Sequence, residues 1–360
     1  MRNDSSIARL SPLREIPPAV WALGLVSLLM DVSSEIIHAL LPVYLVTVLS
    51  ASMLTVGFIE GIAEATASIT KVFSGALSDK LGKRKLLAVI GYGLAAFTKP
   101  IFPLASAISW LVAARFIDRI GKGIRGAPRD ALVADIAPAQ LRGASFGLRQ
   151  SLDTVGAFLG PALAIGLMWL TANRIQMVFW FAVIPAFLAV GLLIVAVHEP
   201  GRPRDLRQVR APLSLAELKV LGPAYWWVVG VAVVFSVARF SEAFLILRAQ
   251  SVGLPVALVP MVLVLMNVFY AFAAYPAGVL SDNADRVTVL GELRGTAYGV
   301  FNLLVGLALL VASVLAGALW DVIGSQATFL AGAAFTLVAL VCLPATRRIA
   351  PNVGRALKSS

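Results

Sequence analysis

Ten stretches of this sequence are long and apolar enough to cross a lipid bilayer, and no other feature restricts the fold as tightly. A crossing helix needs about 20 apolar residues. The runs fall at 20–49, 54–77, 85–104, 108–136, 142–170, 174–197, 224–247, 256–280, 293–320 and 326–343. Hydrocarbon offers the backbone no hydrogen-bond partner, so helices, which satisfy their own peptide groups, are the expected form of each run. The fold class that follows is an all-α integral membrane protein.

Composition matters here mainly for what it excludes. Only 14% of residues are charged and the mean hydropathy is +0.88, against roughly a quarter charged in a soluble domain. Lipid is therefore the expected solvent and partner. The net charge of +11 would suit nucleic acid in a soluble chain. Here the Lys and Arg gather in short segments between apolar runs, so no nucleic-acid partner is expected. The single cysteine, Cys342, excludes an intramolecular disulfide framework and a cysteine-type zinc site. The first run exceeds a signal-peptide core and contains Asp31 and Glu35, so no cleavable signal is expected.

Alternate connectors differ sharply in positive charge. One set carries Arg2, Arg9 and Arg14, then Lys80, Lys83, Arg84 and Lys85, then Arg125 and Arg129. It continues with Arg202, Arg204, Arg207, Arg210 and Lys219, and ends with Arg347, Arg348, Arg355 and Lys358. The other set holds little beyond Arg174 and Arg248. The positive-inside rule then puts both termini in the cytoplasm. The longest connector, 198–222, is basic and interrupted by Pro200, Pro203 and Pro212, as a cytoplasmic linker between two bundles would be.

Three landmarks recur in the same order. Ser34-Glu35 returns as Ser241-Glu242, Gly-Ala-Leu-Ser-Asp at 75–79 as Gly-Val-Leu-Ser-Asp at 278–282, and Leu-Arg-Gly-Ala-Ser-Phe-Gly at 141–147 as Leu-Arg-Gly-Thr-Ala-Tyr-Gly at 293–299. The chain is thus two homologous halves. Their spacing differs: Asp79 to Gly143 is 64 residues, Asp282 to Gly295 only 13. About 51 residues, two helices and a turn, are absent from the second half by this comparison. The expected organisation is a six-helix bundle at 1–197, a linker at 198–222, a four-helix bundle at 223–346 and a basic tail at 347–360. A deletion or sequence error and a working shortened protein both account for the gap.

The connector at 75–84 reads Gly75-Ala-Leu-Ser-Asp79-Lys80-Leu-Gly82-Lys83-Arg84. It resembles the loop signature G-x-L-x-D-R-x-G-R-K of the major facilitator superfamily. The fourth run contains Asp118-Arg119-Ile-Gly-Lys-Gly123, similar to that family's R-x-x-x-G element. In the fifth run Gly147, Gly156, Gly160 and Pro161 resemble the antiporter signature G-x8-G-x3-G-P-x2-G, with Ala164 at the last glycine. Small residues there let helices approach closely, and Pro161 kinks one. The resemblance covers the first half fully. In the second, Asn283-Ala-Asp-Arg286 replaces the Lys80-Leu-Gly-Lys83 part of the loop.

Charges within the runs are the candidate site, because a charge at the bilayer centre costs at least about 2.5–3.5 kcal/mol and needs a partner or a wet cavity. Asp31, Glu35 and His38 follow i, i+4, i+7 and share one face of the first helix; Arg115, Arg119 and Lys122 do the same on the fourth. Glu60 and Glu64 on the second and Arg149 and Asp153 on the fifth are i, i+4 pairs, Lys71 lies two turns beyond Glu64, and the seventh adds Arg239 and Glu242. The resemblance implies that the first, fourth, seventh and tenth helices of the family fold line the central cavity. It places Asp31, Glu35 and Arg119 in the translocation path, with Arg115, Lys122 and Glu242 beside them, and ties Arg119 to proton coupling. A carboxylate moved between an arginine and a desolvated site exchanges a proton. Static ion pairs locking helices together are the alternative role, above all for Arg149–Asp153, and Asp79 is expected to gate and pack helices. His38 is a possible relay.

The function implied is a proton-coupled secondary transporter of a small organic solute, an exporter or exchanger in the plasma membrane. The alternative is a transporter-like sensor or inactive remnant. The positive surplus on the fourth run hints at an anionic substrate, but seven carboxylates (Asp31, Glu35, Glu60, Glu64, Asp118, Asp153, Glu242) nearly balance six cations (Lys71, Arg115, Arg119, Lys122, Arg149, Arg239), so the full count names no substrate. No metal-ligand cluster, nucleophile elbow or phosphate-cradling loop is present in the sequence, so neither an enzyme nor a cofactor is expected. If the gap is real, the cavity opens sideways to lipid or is covered by a second copy in a homodimer.

Overall fold

Backbone groups that cannot reach water must pair within their own segment, and the computed structural model is accordingly helical, with no strand among its described residues, 15–200, 223–282 and 294–349. The helices are α1 (Pro18–Thr47), α2 (Met53–Leu81), α3 (Arg84–Thr98), α4 (Ile101–Leu104), α5 (Ile108–Ile136), α6 (Arg142–Leu170) and α7 (Ile175–Ala196). After the linker come α8 (Pro223–Ala238), α9 (Ala243–Ser251), α10 (Met261–Asp282), α11 (Arg294–Val322) and α12 (Ser325–Ile349). Among the described residues seven helical segments are long and apolar enough to cross a membrane, fewer than the ten apolar runs. The charge-bearing α2 and α5 are outside those seven, and the apolar part of α10 is shorter.

Two runs expected to be continuous are broken. The third is split into α3 and α4 at Lys99-Pro100, where proline cannot donate to the helix ladder. The seventh is split into α8 and α9 by 239–242. Irregular backbone at membrane depth survives only where protein supplies partners. Here Ser241 N donates to Ser313 Oγ of α11 (3.2 Å) and Ala243 N to Ser241 Oγ (3.2 Å). Local signals set other ends: Ser52 Oγ caps Thr55 N at the start of α2, and Gly82, at φ 62°, closes its other end.

The repeat reappears in the packing. α1 packs on α6 and α7, as α8 packs on α11 and α12. Between the halves, α2 lies along α11 and α6 along α10, the same pair of repeat-related helices exchanged. Small residues allow the α2–α11 approach. A Cβ on Gly61 would meet the Leu310 backbone at 2.9–3.0 Å, and one on Gly306 would lie 2.8 Å from Ser68 Cβ. At the end of this seam Asp321 accepts from Met53 N (3.1 Å) and Leu54 N (2.8 Å), so α11 caps the first turn of α2.

Two buried apolar clusters run through the first half, one of them reaching Ala243 and Ile246 of α9 and Leu263 of α10. One contains Ala114 of α5 and Phe102 of α4; the other contains Leu132 of α5 and Ala96 of α3. The charged residues of α5 and Lys99 fall between these stretches, so a polar layer divides the apolar core.

Candidate functional site

The helical spacing that put Asp31 and Glu35 on one face of α1 aims both into a cavity of about 460 Å³. Glu64, Ser68 and Lys71 of α2, Lys122, Arg125 and Arg129 of α5, and Gln150 and Asp153 of α6 also line it. The second half contributes Asn267 and Tyr270 of α10. Asp31 makes no ion pair or side-chain hydrogen bond among the described residues, although Asp153, Arg125, Lys122 and Arg129 are its electrostatic neighbours.

The wall behind the cavity is a set of buried ion pairs. Glu35 Oε2 is 3.4 Å from His38 Nδ1, and His38 Nε2 is 3.8 Å from Glu60 Oε2. The same Glu60 oxygen accepts from Arg115 Nη2 at 2.8 Å. A polar chain therefore runs from the cavity edge inward through Glu35, His38, Glu60 and Arg115. Arg119 is 4% exposed and does not line the cavity. It reaches Glu64 Oε1 at 3.2 Å and lies 3.9 Å from Asp118. Glu242 sits in the break before α9, where His38, Glu35, Glu64 and Glu60 are its electrostatic neighbours. Arg239 is exposed.

The expected Arg149–Asp153 pair is present at 2.6 Å and belongs to a larger group. Arg129 Nη1 donates to Ser27 Oγ of α1 (3.0 Å) and lies 3.7 Å from Asp153, while Asp130 is shared between Arg129 and Arg149. These contacts tie α1, α5 and α6 together below the cavity.

The glycines of the fifth run explain the α1–α6 approach. A Cβ at Gly156 would sit 3.0 Å from Asp31 Cβ, and one at Gly160 only 2.5 Å from Glu35 Cβ. Two glycines one turn apart thus lie directly against two carboxylate residues one turn apart. Pro161 and Ala164 are buried on the same helix, whereas Gly147 has nothing near it. In the 75–84 connector, Gly75 lies beside Ala127 of α5 and Lys83 is exposed. Arg84 pairs with Asp135 and donates to Ala131 O at 3.2 Å. Glu199 accepts from Arg84 N (2.7 Å) and Lys85 N (3.2 Å), capping α3. The Asp79 side chain, and the residues 283–293 where the second half is shortened, lie outside the described residues.

Several buried or cavity-lining charged side chains escaped the sequence reading. Lys99, 1% exposed, donates to Asp118 Oδ1 at 2.9 Å and to Ser34 Oγ at 3.1 Å, yet was absent from the count of interior cations. Arg125 and Arg129, counted among connector charges, are within α5 and line the cavity. The signal was available: 125 and 129 continue the 115, 119, 122 stripe at helical spacing.

Residues 23–292 match the family profile described as Major Facilitator Superfamily. An uncharacterized MFS-type transporter of Methanocaldococcus jannaschii is 30% identical over 389 aligned positions, covering 90% of this chain and 94% of that protein. Ninety per cent of 360 residues is 324, so about 65 of those positions hold residues of the relative with no counterpart here. The quinolone resistance protein NorA of Staphylococcus aureus is 32% identical over 162 residues, 45% of this chain and 40% of that protein. In fold, the chain resembles a bacterial homolog of the human lysosomal transporter Spinster, with a TM-score of 0.60 at 18% identity. That likeness covers 90% of this chain and 78% of the other.

Proposed function

The chain belongs to the Major Facilitator Superfamily, and from that premise we propose that it is a secondary active transporter exchanging a small organic solute for protons. The observation that carries this reading is Asp31: an unpaired carboxylate facing a cavity that helices of both halves line. Unlike Glu64 or Asp118, it has no ion partner among the described residues to hold it ionised, so it is free to gain and lose a proton as the cavity opens and closes. Arg119 stands one step behind the cavity wall, held by Glu64 at 3.2 Å, where it can respond to a change of charge inside the cavity. The partial likeness to a drug-resistance protein and the glycine–proline face of α6 support export.

The test is flux in proteoliposomes with and without an imposed pH gradient. Asp31→Asn removes the gradient-driven component, and Arg119→Ala does the same. Arg119→Lys recovers only part of it, because an ammonium lacks the planar guanidinium fork. If Asp31→Asn and Arg119→Ala both keep the full gradient-driven rate, the coupling assignment is wrong.

A second reading, a shortened chain that senses rather than transports, is favoured by the missing positions and by the exposed flank of α10, where Phe269 is 71% and Phe272 76% exposed. It requires solute binding with no net flux under any gradient.

The distribution of positive connectors supports a cytoplasmic location for both termini and the 198–222 linker of a plasma-membrane protein. Single cysteines placed at Pro203 and Ser360 in a Cys342→Ser background are expected to resist impermeant thiol reagents in intact cells. Labelling from outside would overturn this topology.

A further inference from the structure

Counting charges in the cavity wall gives a tie: Asp31, Glu35, Glu64 and Asp153 against Lys71, Lys122, Arg125 and Arg129. Pairing breaks it. Glu64 is engaged by Arg119 at 3.2 Å and Asp153 by Arg149 at 2.6 Å, both bases standing behind the wall. Glu35 faces His38 at 3.4 Å. Arg129 is committed to Asp130 at 3.2 Å and Ser27 at 3.0 Å.

The remaining bases are not neutralised. Lys71 and Lys122 are exposed and make no ion pair among the described residues. Arg125 is 5% exposed, stacks 4.8 Å from the Tyr92 ring centroid, and has a buried Nη1 with no hydrogen-bond partner. A buried guanidinium nitrogen left unpaired beside a cavity is costly unless something else supplies the acceptor. Three cations without ion partners therefore face two carboxylates that no lysine or arginine engages, Asp31 and Glu35, the second beside the titratable His38.

We propose that this cavity takes a solute carrying a negative charge, with Lys71, Lys122 and Arg125 as its anion-binding residues. The positive potential of three unpaired bases is focused by the low-dielectric walls around them. A carboxylate, sulfonate or phosphate group supplies acceptors to the lysines and to Arg125 Nη1. The volume of about 460 Å³ accommodates a solute of one or two aromatic rings beside that group. The proposal rests on the transporter reading but concerns binding, so the two can fail separately.

Equilibrium dialysis of the full chain in zwitterionic-lipid nanodiscs tests it with three probes of one size: naphthalene-2-sulfonate, the neutral naphthalene-2-sulfonamide and 2-naphthyltrimethylammonium. The sulfonate is expected to bind at least about tenfold more tightly than either other probe, as one charge-assisted contact provides. Lys71→Gln and Lys122→Gln each weaken it severalfold, while Lys122→Arg restores it. Both lysines are exposed, so these variants leave the packed core untouched. Asp31→Asn removes one opposing carboxylate and strengthens sulfonate binding, although it abolishes gradient-driven flux. Equal affinity for the three probes, preference for the cation or the amide, no saturable sulfonate binding, or indifference to both glutamine variants overturns the proposal. Sulfonate selectivity without any flux leaves the anion site standing and defeats the transport reading instead.

Discussion

Replacing Lys99 by Met should cost about 3–5 kcal/mol of stability, the usual penalty for stranding one partner of a buried ion pair. Lys99 and Asp118 are 1% and 3% exposed and 2.9 Å apart, with Ser34 Oγ as the ammonium's other hydrogen-bond partner among the described residues. Losing the lysine leaves Asp118 without its direct partner, with Arg119 Nε at 3.9 Å and Arg125 and Arg115 as more distant electrostatic neighbours. The polar layer containing the pair lies between the two apolar clusters of the first half, so water cannot easily replace the lost partner. Removing both charges is a different matter. Lys99→Met with Asp118→Leu leaves apolar groups of similar volume and should recover most of the loss, a coupling that a double-mutant cycle isolates. Thermal unfolding in detergent, with the yield of monodisperse protein, reads both. A single variant as stable as the parent chain would mean that the layer is wetter than its burial indicates.

Restoring two helices to the second half should raise gradient-driven flux from near background to a readily measured rate. Residues 283–292 span at most about 15 Å as a helix, half the thickness of the hydrocarbon. In the first half α2 packs on α5, and α5 packs on α3. Its repeat-related counterpart α10 packs mainly on α6 and α9. On α10, Phe269, Tyr270 and Phe272 are 71%, 70% and 76% exposed. Tyr270 also lines the cavity, so the cavity wall is thin at this point. The relative's additional positions, about 65, have the length of two helices and a turn. A segment taken from a close twelve-helix homologue, inserted between Asp285 and Glu292, supplies that wall. Undiminished flux from a strictly monomeric preparation of the present chain, unchanged by the insertion, would show that the shortened half works as it stands. Closure by a second copy predicts instead that activity rises with protein density in the membrane.

The contrast between these two predictions follows from what was legible beforehand. The gap in the second half could be read from the spacing of repeated motifs, because homologous halves share a register along the chain. The Arg149–Asp153 pair was legible too, being i, i+4 on one helix. The Lys99–Asp118, Arg115–Glu60 and Arg119–Glu64 pairs were not. The second joins residues 55 apart in sequence, and such partners meet only when separate helices pack. The break at 239–242 was equally hidden, since no proline or glycine marks it. A serine on α11 supports it.

The sequence by itself determined that lipid is the solvent, that the apolar runs are helical though not where two of them break, how the halves repeat and which charges share a helix face. Those properties are local: backbone hydrogen bonding and a 3.6-residue period act within a segment. Only the tertiary structure decided which charges are spent on one another and which remain for a solute. Counting left seven carboxylates against six cations, whereas packing set Lys71, Lys122 and Arg125 apart from the paired bases around them. Electrostatic energy depends on separation and on the surrounding dielectric, and both are properties of the assembled bundle rather than of position along the chain.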